Sequence, residues 1–319
     1  MEKISIGGFL YLDRSQPLVA GSVQVDGLDY AFTILSAVEL GRRVYQGKEF
    51  DAGELWAASY ICDVARQRSE YVGLPVFPSR VFRHGFIYVR EDSGIQVPAD
   101  LAGKRVGVVE YVQTAAVWIR AFLEHDYGVS PSDIEWVLTR QQTHAPIAPP
   151  AHLSVTMAAD ERSVEQMLHA GEIDAAIGAL NPRSMLAGPV RRLFGEPRTV
   201  ETEYYRRTGL FPIMHILGVR RDLYEREPEI ARALFRLFCE AKKYGDERLR
   251  RTSSLAVSLP WLEDHLQETR AIFDRDPFAY GFAANRDAVD ALTRYVLEQG
   301  LAPRKVEPEE LFAAETLDT

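Results

Sequence analysis

Residues 75–90, PVFPSRVFRHGFIYVR, place Arg80, Arg83 and His84 within five positions at the mouth of a strand-like run. Two guanidiniums and an imidazole are costly to take out of water unless an anion or a carboxylate meets them. A second apolar run far downstream, residues 211–222 (FPIMHILGVRRD), again carries a histidine, His215. Forked cations beside groups that move protons near neutral pH describe a site for a small anion with acid–base chemistry. The plain structural alternative is that the arginines pair with surface carboxylates and the histidines are bonded within a core.

These residues need elements to position them, and the chain alternates strand and helix throughout. Strands are expected over 3–6, 28–35, 85–89, 105–109 and 174–177. Ser15 is expected to cap a short helix with Pro17 in its first turn. Leu55, Ala58, Cys62 and Ala65 fall on one face of a helix read over 54–65. Further helices are expected over 114–127, closed by Gly128, and over 163–169, 228–243 and 285–299. Such alternation argues for an α/β architecture with mainly parallel sheets. The self-contained region between the two histidine-bearing runs reads as an inserted domain. The layout is 1–88 and 212–319 as one discontinuous domain, with 89–211 as the second. Two crossovers, near 86–92 and 207–214, are expected to join them and to leave one cleft. The proline-rich stretch 140–150 reads as a loop on the second domain.

Composition bounds the partners. With 319 residues and a net charge of −9, the chain has material for about two domains and no global attraction for nucleic acid or anionic lipid. No apolar run is long enough to span a membrane, and the opening MEKISIGGFLYLD has no apolar signal region, so a cytoplasmic protein is expected. The two cysteines, Cys62 and Cys239, form no CxxC pair. No GxGxxG or GxxxxGK[ST] loop supports a nucleotide, so no cofactor is expected. A divalent ion is left open: it would draw on His84, His215, Asp13 and Glu54, but no HxH, HxxxH or HExxH spacing supports one. Self-association is likewise open.

The segment order resembles that of type II periplasmic-binding-protein folds, and longer strings resemble 4,5-dihydroxyphthalate decarboxylases. Those strings are EFDAGEL (49–55), PVFPSRVFRH (75–84), DLAGKRVGVVEYVQTAAVWIRAFL (100–123), RRLF (191–194), YYRRTGLFPIMH (204–215) and QGL…EELF (299–312). The resemblance runs nearly end to end. It departs at Trp56 and in the loop 139–155. It implies a two-domain fold with an interdomain cleft, and a cofactor-independent decarboxylase of a dihydroxylated aromatic dicarboxylate. A thiamine-pyrimidine synthase shares the broad fold but carries a cysteine-rich string that is absent here.

Decarboxylation of such a ring needs a clamp for the retained carboxylate, a base near a phenolic hydroxyl and an acid near the leaving carboxylate. Arg80 and Arg83 suit the clamp. His84 and His215, one on each crossover, suit the proton transfers, with Glu54 as a further catalytic candidate. Asp13 and Arg14 follow the first strand, where α/β folds place ligand groups. Gln113 and Thr114 sit in the turn opening the helix at 114, whose backbone N–H groups suit a carboxylate. Arg207 precedes the second crossover. Arg120 fits a surface position as well as a clamp. The alternative function is a non-catalytic solute-binding protein for an aromatic carboxylate.

Overall fold

The computed structural model describes residues 3–139 and 147–319. Residues 140–146 of the expected proline-rich loop lie outside the described residues. The elements that matter for the site are strands β1 (Ile4–Gly8), β2 (Tyr30–Ile34), β3 (Ala52–Trp56), β4 (Tyr71–Leu74), β5 (Ile87–Arg90), β6 (Arg105–Val108), β7 (Glu135–Leu138), β8 (Val155–Met157), β9 (Ala175–Ile177), β10 (Val190–Arg192) and β11 (His215–Arg220). The helices are α1 (Ala57–Ala65), α2 (Thr114–Tyr127), α3 (Val164–Ala170), α4 (Pro197–Thr208), α5 (Ile230–Leu249) and α6 (Arg286–Glu298).

Among the described residues two sheets form, ordered β2-β1-β3-β11-β4 and β10-β5-β9-β6-β7-β8. The βα units pair in parallel, as the alternation predicts: β1 with β2 and β3, and β6 with β7 and β9. The strand by which the chain enters each sheet from a crossover runs the other way. β11 is antiparallel to β3 and β4, and β5 is antiparallel to β9 and β10. Each sheet is therefore mixed rather than mainly parallel, because a chain that leaves a lobe and returns through the same junction comes back reversed.

The crossovers lie against each other. The Val81 N–H donates to Pro212 O at 3.2 Å, the Met214 N–H donates to Ser79 O at 2.9 Å, and the indole N–H of Trp118 on α2 donates to Ile213 O at 2.9 Å. One continuous apolar core runs through Leu55 and Ile61 of the first lobe, Val106, Trp118 and Ile177 of the second, and Leu292 and Val296 of α6. The C-terminal helix thus packs into the junction rather than onto one lobe.

The helices form much as the sequence predicts. α2 occupies Thr114–Tyr127 and ends on Gly128 at φ 67°, a left-handed conformation that glycine adopts without a Cβ clash. The segment 54–65 differs from expectation: Ala52–Trp56 is a strand and only Ala57–Ala65 is helical. β3 is buried on both faces between β1 and β11, so it lacks the alternation that marks a half-exposed strand. Its apolar positions then blend into the helical period that follows. Ser15 makes no capping bond; its hydroxyl donates to Phe9 O at 2.7 Å and accepts from the Tyr11 N–H at 2.7 Å. No helix among the described residues is long and apolar enough to cross a membrane.

Candidate active site

The site grows from the register of two strands. In the antiparallel pair β3–β11, His215 stands opposite Trp56, and Leu217 stands opposite Glu54. Side chains two apart on a strand share a face, so Glu54, Trp56 and His215 leave the same side of the sheet while Leu55 points into the core. Glu54 is 3% exposed, a depth at which a carboxylate needs partners. It has three. Its Oε1 lies 2.5 Å from His215 Nδ1 and accepts from the Tyr11 hydroxyl at 2.6 Å, and its Oε2 accepts from the Phe9 N–H at 2.9 Å.

This bonding assigns the histidine tautomer. With Nδ1 carrying the proton toward Glu54, Nε2 remains for a ligand. Phe9 stacks on the imidazole with centroids 5.5 Å apart and planes at 22°, which holds the ring's orientation. Burial, and then the neighbouring Glu54 charge, push the Tyr11 hydroxyl far above the ordinary tyrosine range, so it stays a donor.

Opposite this dyad lies the second lobe. The cleft, about 340 Å³, is lined by Phe9, Trp56 and His215 from the first lobe, by Ser79, Arg83 and Met214 from the crossovers, and by Val109, Glu110, Gln113, Thr114, Ala115 and Ala179 from the second. α2 begins here, so its first-turn N–H groups open toward the cleft. Thr114 Oγ1 accepts from the Ala58 N–H of α1 at 3.1 Å, and Gln113 Oε1 accepts from the Ala179 N–H at 2.9 Å. These two side chains tie the start of α2 to both lobes.

Arg83 is the cation of the cleft. It is 7% exposed, its Nε donates to Met214 Sδ at 3.2 Å, and its guanidinium lies 4.6 Å from the Phe86 ring centre. Burial pushes its pKa down to about 10, so it stays charged at neutral pH. Among the described residues no carboxylate forms an ion pair with it. Glu201 acts on it only through space, and a buried guanidinium that lines a cleft without an ion-pair partner is suited to an anion.

Of the residues expected to act, Arg83, His215, Glu54, Gln113 and Thr114 gather at or directly behind this cleft. The others lie elsewhere. Arg80 is buried, but its guanidinium donates to Asn285 Oδ1 and to Phe211 O at 2.6 Å, bracing the crossovers. His84 is enclosed by aromatic rings: it stacks on Phe122 at 4.0 Å and lies 5.0 Å from Tyr204 and 5.7 Å from Phe194. Burial, with Arg207 adding to it, lowers its pKa to about 3, so it is neutral and faces no cleft. The expectation that both crossover histidines meet one ligand therefore does not match the geometry. The strand mouth at 84–86 is a 3-10 turn that rotates His84 into the core.

Arg207 is on the surface, paired with Asp126 at 2.7 Å. Arg14 lies between the Tyr11 and Phe278 rings, 4.8 and 4.5 Å from their centres, with Asp13 at 3.5 Å, behind the dyad rather than in the cleft. Arg120 is neither surface residue nor clamp. It is 1% exposed, stacked 3.7 Å from the Tyr111 ring centre and bonded to Gln299 Oε1 at 2.9 Å.

Sequence reasoning missed Tyr11, Phe9, Trp56, Ser79 and Met214; Glu110 lies in the turn 110–114 that it did single out for a carboxylate. Trp56 follows Glu54 by two positions and shares its face, but only once β3 is known to be a strand; the others depend on parts of the chain whose course only the fold defines. Among the described residues no group of three or more His, Cys, Asp and Glu is disposed to hold a metal ion.

The chain as a whole is similar to known proteins. A family described as NMT1/THI5 like matches residues 81–149. A 4,5-dihydroxyphthalate decarboxylase of Comamonas testosteroni is 40% identical over 323 aligned residues, covering 99% of this chain and 97% of the relative. Another of the same name, from Pseudomonas putida, is 39% identical over 64% of this chain and 80% of its own length. Among solved structures, a ligand-binding component of an import system from Staphylococcus aureus superposes with a TM-score of 0.58 at 11% identity, covering 100% of this chain and 98% of the other. The periplasmic aliphatic sulphonate binding protein of Escherichia coli does so at 0.57 and 18%, covering 98% and 92%. At such identities the structural likeness establishes the periplasmic-binding-protein fold and nothing about ligands.

Proposed function

The chain belongs to the 4,5-dihydroxyphthalate decarboxylase family, and on that premise we propose that the cleft between Arg83 and the Glu54–His215 dyad removes one carboxylate from 4,5-dihydroxyphthalate. The protein is a carboxy-lyase acting on a small aromatic acid in phthalate degradation. The observation that carries the assignment of the site is the pairing, in one cleft, of a buried guanidinium that has no ion-pair partner among the described residues with a histidine whose Nδ1 is engaged by a buried glutamate. The solute-binding alternative is not favoured, because the relative matched over 99% of this chain is a decarboxylase and so is the second, matched over 64%.

The chemistry follows from the groups present. Arg83, supported by the open first-turn N–H groups of α2, holds the carboxylate that stays. Each ring hydroxyl is para to a carboxyl-bearing carbon and feeds electron density to it. Protonated His215 delivers its Nε2 proton to that ipso carbon, and a ring electron pair forms the new C–H bond. The C–C bond to the leaving carboxylate then breaks, carbon dioxide departs, and the bond pair restores the aromatic ring. Imidazole is left neutral and regains a proton from solvent, so the balance is one proton consumed per carbon dioxide released. Glu54 stabilises the imidazolium and keeps Nε2 aimed at the cleft.

We also take the two sheets as the centres of two lobes, 1–88 with 212–319 and 89–211; the sheet memberships support this division except that Ile87 and Tyr88 pair within the second sheet. Purified, chelator-treated protein incubated with 4,5-dihydroxyphthalate should release carbon dioxide and form 3,4-dihydroxybenzoate. Binding without turnover would overturn the catalytic reading.

A further inference from the structure

The strand that carries Glu54 ends in Trp56, which takes no part in the acid–base chemistry. Trp56 stands opposite His215, so the two side chains leave the sheet side by side, and it lines the same cleft. One face of its indole lies flat on Tyr45, with ring centroids 4.6 Å apart and planes at 16°. Its backbone is held as well: it closes β3, and its N–H donates to the Tyr45 hydroxyl. An aromatic wall whose orientation is set before the ligand arrives loses little freedom on binding.

The other tryptophans do not offer this. Trp118 and Trp136 are 0% and 1% exposed in the core, and Trp261 is 68% exposed on the surface. Beside Trp56, the flanking His215 delivers a proton to one ring carbon, so the substrate plane must be controlled; carboxylate clamping alone leaves the ring free to rotate about its anchor.

We propose that Trp56, backed by Tyr45, is the wall on which the substrate ring stacks, and that it makes the site choose aromatic over saturated dicarboxylates of like carboxylate spacing. This rests on the catalytic reading of the cleft and adds its specificity element. The probes are phthalate, which has the two carboxylates on an aromatic ring, and cis-cyclohexane-1,2-dicarboxylate, which has them on a saturated one. Phthalate should quench tryptophan fluorescence in the unaltered protein and in Trp261→Phe, but not in Trp56→Phe.

As competitive inhibitors, the two probes should differ by roughly tenfold in favour of phthalate, the size of an aromatic pair's contribution. Trp56→Leu should erase that preference and raise KM with kcat little changed, while Trp56→Phe should restore the preference. An unchanged preference in a folded Trp56→Leu, or quenching that persists in Trp56→Phe, overturns the proposal. So does a failure of phthalate to bind the unaltered protein. If Trp56→Leu does not fold, the fluorescence arms and Trp56→Phe still decide. Because both probes report binding, they separate this proposal from the catalytic one: quenching and discrimination without turnover would sink only the latter.

Discussion

The two histidines read onto the crossovers have opposite fates because of what surrounds each. His215 keeps one nitrogen on a carboxylate and the other toward the cleft, whereas His84 is stacked among rings. Replacement of His215 by glutamine should therefore lower kcat by roughly 10²–10⁴, the usual contribution of a general acid or base, with KM little changed. The pH–rate profile should lose one limb at the same time; full activity of that variant would move proton transfer elsewhere. His84→Gln should keep kcat, and its signature is stability. The His84 pKa falls from 6.5 in the unfolded chain to about 3 on folding. Below pH 6.5 the unfolded state binds the extra proton, so stability falls as the pH drops toward 3, by about 1.4 kcal/mol per pH unit from this group. The variant should lose less stability than the unaltered protein when melting is followed from pH 7 to pH 4. Arg83→Lys keeps the charge but not the fork, and should raise KM for the dicarboxylate by about tenfold or more.

At the level of elements, the start of α2 is held from two directions, by Thr114 on Ala58 and by Gln113 on Ala179. The second tie depends on Gly178, whose φ is 127° and whose added Cβ would collide with Gln113 Oε1. Gly178→Ala should cost about 1–3 kcal/mol in chemical denaturation from backbone strain alone. By displacing the first turn of α2 it should also weaken dicarboxylate binding measured by calorimetry. A substitution without effect on either would mean that the helix start is positioned by other contacts. Thr114–Tyr127 was legible because its cap glycine and its apolar stripe agree. β3 was not, since a strand buried on both faces has no alternation to read.

Across the whole molecule the lobes share a core, and α6 joins them. Gln299, just past the end of α6, accepts from Arg120 Nε at 2.9 Å and donates to Val117 O at 2.9 Å, while the Tyr295 ring meets Trp118 at 5.4 Å. Two lobes joined this way should unfold together. Scanning calorimetry is expected to show one transition, and two resolved transitions would contradict the shared core. Gln299→Leu removes an acceptor from a buried guanidinium and should lower stability by roughly 1.5–3 kcal/mol, the range for hydrogen bonds to charged groups.

Period and punctuation were enough to establish the α/β class, the main helices and the two runs that became the crossovers, because these depend on residues near one another in the chain. Long matching strings were enough for the family. Which of the polar residues meet was a different matter. Arg80 and Arg83 are three apart, yet one braces Asn285 and the other lines the cleft; His84 follows directly and faces neither. The partner of His215 is Glu54, 161 positions away, brought to it by one antiparallel register. Side-chain direction at a 3-10 turn and pairing across a sheet are set by contacts distant in sequence, and only the tertiary structure decides them.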